Sequence, residues 1–224
     1  MTDSPLQAVE KLQEKMERIR ISSNASSMSK YMKNLFPFAG VKSPERKMVH
    51  REWVKTLSKN QDRWDIAFLL WELPEREYQY IAIDYLNKIP KKNIEIGDIK
   101  MLEEILTNKS WWDSVDAIAS NYVGEYFKKY PQQVKPIISK WRNSDNMWLN
   151  RTCLIFQLKY RDETNFSLLK DLIIQYQDVK EFFIQKAIGW SLRQHSKHKP
   201  LEVQKFITEI SLKGLAKREA SKYL

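Results

Sequence analysis

"LQAVEKLQEKMERI", residues 6–19, decides the fold class. Its apolar residues Leu6, Val9, Leu12, Met16 and Ile19 fall three or four apart, the period of one helix face, whereas a half-buried strand would alternate at two. "FSLLKDLIIQY" (166–176) and "LEVQKFITEISL" (201–212) repeat the spacing, and no stretch alternates convincingly. Prolines in "SPERK" (43–47), "LPERE" (73–77), "YPQQV" (130–134) and "KPLEV" (199–203) mark helix starts near the first helical position. The sequence predicts an all-α chain of about a dozen helices of roughly 10–18 residues.

A longer period lies beneath. Tyr78, Trp112, Trp148 and Phe183 are separated by 34, 36 and 35 residues, and each has a helical neighbour four positions on: Ala82, Asp116, Thr152 and Ala187. Two helices per repeat predict stacked antiparallel hairpins, a solenoid of the HEAT or armadillo kind with a concave basic face, because each hairpin needs neighbours to cover its apolar sides. The whole chain, 1–224, reads as a single such domain. Three of the four neighbours are small, as close helix packing wants. Asp116 breaks that rule, and function tends to sit at such departures.

Composition sets outer limits. Eight Trp, ten Tyr and nine Phe supply ample core material, while five glycines are too few for a phosphate-binding glycine loop or many tight hairpins. A single cysteine, Cys153, cannot form an internal disulfide. His50, His195 and His198 do not form a metal cluster, so neither a metal nor another cofactor is expected. No apolar run approaches the ~18 residues of a membrane span. The polar, helix-patterned N-terminus is not a signal peptide, and a cytoplasmic protein is expected. With 38 basic and 28 acidic residues, the formal charge of +10 suits a polyanion partner or a lysine-rich solvated surface.

"KSWWDSVD", residues 109–116, sets two indoles beside two carboxylates. In a helix over 109–127, Ser110 is the expected N-cap and Asp113 falls at the third position, a capping pair. Trp111, Val115, Ile118 and Tyr122 form a core stripe. Trp112 and Asp116 lie one turn apart on the next stripe, either a dry wall beside an acceptor or a surface tryptophan beside a solvated acid. "NMWLNRTCLIFQLKYR" (146–161) carries Trp148, Arg151 and Lys159 on one broad helix side, and "EFFIQKAIGWSLRQH" (181–195) sets Trp190 beside Lys186 and Arg193. Tryptophan flanked by cations on one face suits a nucleic-acid or ligand surface. Lys47, Arg51, Lys55 and Lys59 recur every four residues, as a solvated face or a phosphate-tracking ladder.

These residues carry a resemblance. "YMKNLFPFAGVKSPERK", "LWELPEREYQY", "KSWWDSVD", "SDNMWLNRTCLIFQLKYR", "KEFFIQKAIGWSLR" and "KREA", from Tyr31 to Ala220, resemble the bacterial AlkD family of HEAT-like-repeat DNA glycosylases. That family excises positively charged N3- and N7-alkylated purines from duplex DNA. The resemblance implies that Asp116 is the essential carboxylate, that Trp112 and Trp190 are the cleft tryptophans, and that Arg151 grips a phosphate. It implies that Lys159 is a further backbone contact and that Tyr31 is an aromatic near the lesion. Trp148, Lys47 and Arg51 complete the expected DNA-binding set.

The implied activity is monofunctional hydrolysis without lyase chemistry or a deep base-flipping pocket. The expected partner is double-stranded DNA with alkylated purines; no membrane and no obligate protein partner are expected, and a monomer suffices. The competing reading is a non-catalytic DNA-binding paralogue recognising damaged or branched DNA. A protein scaffold of the same fold would show a neutral or acidic groove instead.

Overall fold

The computed structural model describes residues 3–57 and 62–224. The chain is all-α, a helical repeat solenoid, with fourteen α-helices of 6 to 15 residues among the described residues. They are more numerous and shorter than the spacing suggested, because capping residues and turns interrupt the apolar stripes. No helix among the described residues is long and apolar enough to cross a membrane. Two compact units divide the chain at Pro90.

The first unit holds α1 (Pro5–Glu17), α2 (Ser22–Tyr31), α3 (Ser43–Val54), α4 (Arg63–Glu72) and α5 (Arg76–Leu86). Ser4 and Gln7 cap α1 reciprocally, which satisfies amides that a helix start leaves open. Its apolar stripe, Ala8, Val9, Leu12 and Met16, is buried against α3 and α4. The indole N–H of Trp53 on α3 donates to the carbonyl of Ala8 at 2.7 Å. Buried Glu77 accepts from the backbone amides of Ala39, Gly40 and Val41 at 2.9–3.1 Å, so a fully desolvated carboxylate is satisfied by the α2–α3 connection. Gly40 is required there: its φ is +82°, and a Cβ would lie 2.0 Å from the carbonyl oxygen of Ile21. The proline of "LPERE" does not open α5; Pro74 precedes the N-cap Glu75, and so marks the end of the previous turn.

The second unit is four successive hairpins, the second arm of the first being divided into two helices. They are α6 (Asp98–Thr107) with α7 (Trp112–Ile118) and α8 (Gly124–Lys129); α9 (Val134–Arg142) with α10 (Met147–Ile155); α11 (Phe166–Tyr176) with α12 (Phe182–Ser196); and α13 (Pro200–Glu209) with α14 (Gly214–Ala220). A π-helical segment, Ala119–Val123, joins α7 to α8. The second members pack in order: α7 on α10, α10 on α12, α12 on α14. Ala82, Thr152 and Ala187, the small residues of the repeat, are fully buried.

Two local readings are corrected. Ser110 is not the N-cap of α7; its hydroxyl donates to the carbonyl of Leu106 at 2.7 Å, closing off α6 instead. Trp111 is the cap residue, and Ser114 bridges to its backbone. Lys159 does not share a helix face with Trp148 and Arg151, because α10 ends at Ile155.

Candidate active site

Four successive hairpins converge on one cavity of about 350 Å³. α7 contributes Trp112 and Asp116, and α10 contributes Arg151. α12 supplies Phe182, Phe183, Lys186, Trp190 and Arg193, and α14 supplies Glu219.

At its centre is an ion pair. Arg151 Nε and Nη2 donate to Asp116 Oδ1 and Oδ2, each at 2.7 Å, a two-point fork that fixes the carboxylate plane. Arg151 Nη1 also donates to the carbonyl of Phe183 on α12, which ties α7, α10 and α12 together. The Arg151 side chain is 4 % exposed and that of Asp116 15 %. Burial pushes the Asp116 carboxyl above its ordinary value of 3.8; the hydrogen bonds and charge of Arg151 oppose the shift, and Asp113 adds to it. Each carboxylate oxygen accepts one bond from the fork and keeps acceptor capacity for a ligand.

Arg151 was expected on a phosphate. The structure buries it and engages three of its five N–H groups with Asp116 and Phe183, so that it holds the carboxylate.

The tryptophan doublet divides its work. Trp111 turns into an aromatic cluster, with its ring 5.7 Å from Trp148 and 5.1 Å from Phe183. Trp148 and Phe183 lie 5.0 Å apart. Trp112, one residue on, lines the Asp116 cavity with Trp190. Trp148 therefore does not line that cavity; it borders a separate apolar hollow with Trp111 and Tyr176. The repeat register places Trp112 beside Trp148, but in space the counterpart of Trp148 is Trp111.

The remaining candidates are dispersed. Exposed Lys159 donates to Asn121 in the π segment and lines another cavity, with Arg161, Lys197 and His198. Tyr31, at the end of α2, and Lys47 and Arg51, on α3, are exposed residues of the first unit. Lys55 follows the last turn of α3, and Lys59 lies outside the described residues. His195 faces Glu202 and His198 faces Asp162. Among the described residues no three His, Cys, Asp or Glu side chains converge as a metal site.

Two cavity residues escaped the sequence reading. Phe182, 56 % exposed, opens α12 at the rim. Glu219 is buried and gathers Lys186 at 3.0 Å, Arg193 at 2.8 Å and Lys222 at 2.8 Å. Its carboxyl is lowered to about 2, chiefly by the hydrogen bond from Lys222. It lies inside "KREA", but neighbours in sequence reveal only the contact with Lys222.

The profile of the DNA alkylation repair enzyme family matches residues 12–224, and so includes every side chain of this cavity. The chain belongs to that family. A solved structure described as a predicted DNA alkylation repair enzyme from Enterococcus faecalis is similar to this family member. It is 37 % identical, with a TM-score of 0.82 over 90 % of this chain and 95 % of that one. A search of curated proteins finds no match.

Proposed function

We propose that this protein is an alkylpurine DNA glycosylase: it hydrolyses the bond between deoxyribose and a cationic N3- or N7-alkylated purine in duplex DNA. The observation that carries the reading is the Asp116 carboxylate, held in a fork by Arg151 inside a cavity walled by Trp112 and Trp190. Membership of a DNA alkylation repair family supports DNA as the partner.

The chemistry follows from the leaving group. An alkylated N3 or N7 makes the purine a cation, so it departs with the bonding electron pair without a general acid. Positive charge then builds on C1′, and a fixed carboxylate stabilises it. Unit charges ~4 Å apart interact by about 4 kcal/mol at an effective dielectric near 20. A guanidinium at about twice that distance returns about half of this. Between ~2 kcal/mol with that opposition in full and ~4 kcal/mol with it screened out, the stabilisation corresponds to a factor between about 30 and 1,000 in rate. Water adds to C1′ and loses a proton, for which Asp116 is the nearest acceptor proposed. Trp112 and Trp190 keep the wall water-poor and turn electron-rich faces toward the cationic sugar. The lysine of this cavity, Lys186, is engaged by Glu219, in keeping with hydrolysis by water and not a Schiff base.

The test is release of 7-methylguanine from methylated duplex. Wild type is expected to release it, and Asp116→Asn to slow release by about 30- to 1,000-fold while binding undamaged duplex normally. A wild type that binds the methylated duplex but frees no base is a DNA-binding protein and not a glycosylase.

A further inference from the structure

Glu219 has no step in the chemistry above, yet it is a buried carboxylate at the wall of the same cavity. Lys186 approaches Glu219 Oε1 at 3.0 Å, while Arg193 and Lys222 approach Oε2, each at 2.8 Å. One negative charge against three positive leaves this cluster at +2. Lys186 and Arg193 also line the cavity; Lys222 does not. Glu219 reaches them because α14 and α12 touch backbone to backbone: a Cβ on Gly189 would lie 2.4 Å from Glu219 Cβ and 2.8 Å from the carbonyl oxygen of Ala216.

Lys186 and Arg193 stand two turns apart on one helix, about 10 Å along its axis, so nothing within α12 itself brings their charged ends to one point. Glu219 holds both. We propose that Glu219 is a positioning residue: it draws Lys186 and Arg193 together at the cavity wall so that both converge on a phosphodiester beside the alkylated nucleotide. The proposal rests on the glycosylase reading and adds how the strand is registered over Asp116. The paired oxygens of a carboxylate and the paired unesterified oxygens of a phosphodiester make the same demand on converging donors. Both cations stay accessible, with side chains 39 % and 23 % exposed, and keep N–H groups beyond those given to Glu219. Simple charge balance predicts the opposite of positioning, since removing an acid strengthens attraction to DNA.

A double-mutant cycle separates the two, read by single-turnover release of 7-methylguanine and by binding of undamaged duplex. Glu219→Gln keeps the shape and removes the charge. Release is expected to fall about tenfold or more, while undamaged duplex binds as tightly as to wild type or more tightly. In a Lys186→Ala/Arg193→Ala background the same change is expected to alter release by less than about twofold. Lys222→Ala, which leaves both cavity cations on Glu219, is expected within about twofold of wild type. Wild-type release by Glu219→Gln overturns the proposal. So does an equal loss in both backgrounds, or a loss of release matched by weaker binding of undamaged duplex. If Glu219→Gln fails to fold, Glu219→Asp, which withdraws the carboxylate by one methylene, carries the same cycle. A wild type that releases no base removes the glycosylase reading alone; the cycle is then read on preference for alkylated over undamaged duplex, which Glu219→Gln must still reduce.

Discussion

At the scale of single residues, the site is two opposed demands on Asp116. Partial burial drives its carboxyl toward the neutral form, and the Arg151 fork draws it back toward the anion. The proposed chemistry needs the anion, so release should fall as pH drops through the Asp116 pKa, on an acid limb above the ordinary 3.8. Arg151→Ala removes the opposing influence and leaves burial in charge. Its acid limb should move to higher pH, and the buried acid it orphans should cost about 3 kcal/mol of stability, lessened by the residual exposure. Arg151→Lys keeps the charge but not the two-point fork, and should fall between. Rates of 7-methylguanine release across pH, measured on folded protein, check this; an unmoved limb in Arg151→Ala would separate Arg151 from the titration.

At the scale of elements, the site depends on how α7 and α12 are wound and packed. Trp111 caps α7 and enters the aromatic cluster, so Trp112 and Asp116 are left one turn apart toward the cavity. The π segment begins just after α7, where Ser120 and Asn121 bond back to the carbonyls of Asp116 and Ala117. Such wide turns are frequent at functional sites. On α12 the decisive residue is Gly189. Gly189→Ala places a methyl against Glu219 Cβ and the backbone of α14, neither of which can rotate away. Overpacking of this kind should destabilise the protein by about 2–3 kcal/mol and displace Glu219 from its cations. Urea unfolding reads the first effect and base release the second; wild-type stability in Gly189→Ala would mean that α12 and α14 are less closely packed than described.

At the scale of the molecule, the excess of ten positive charges suits a partner that is charged along its length. The first unit presents Lys47 and Arg51 on the exposed side of α3, while Arg46 and His50 from the same helix are buried. If the exposed pair follows the phosphate backbone, Lys47→Ala/Arg51→Ala should lower the slope of log affinity against log salt by about two units for undamaged duplex. A solvated face would leave the slope unchanged, and titrations at several salt concentrations distinguish the outcomes.

Apolar spacing in segments such as 6–19 and 166–176 was enough to establish the all-α class, since helical period is written in consecutive residues. The repeat singled out Asp116 and, one turn before it, Trp112, because an acid where sibling repeats carry small residues is visible in one dimension; Trp190 stood out by its flanking cations and by the family resemblance. Only the tertiary structure decided what those residues meet. Arg151 belongs with Asp116, 35 positions away, and Glu219 with Arg193, 26 positions away. Ion pairs between helices are set by packing, and no local pattern names the partner. The assignment of Trp111 to packing and Trp112 to the cavity likewise turned on where α7 begins. A shift of one residue at a helix start rotates every side chain that follows by about 100°.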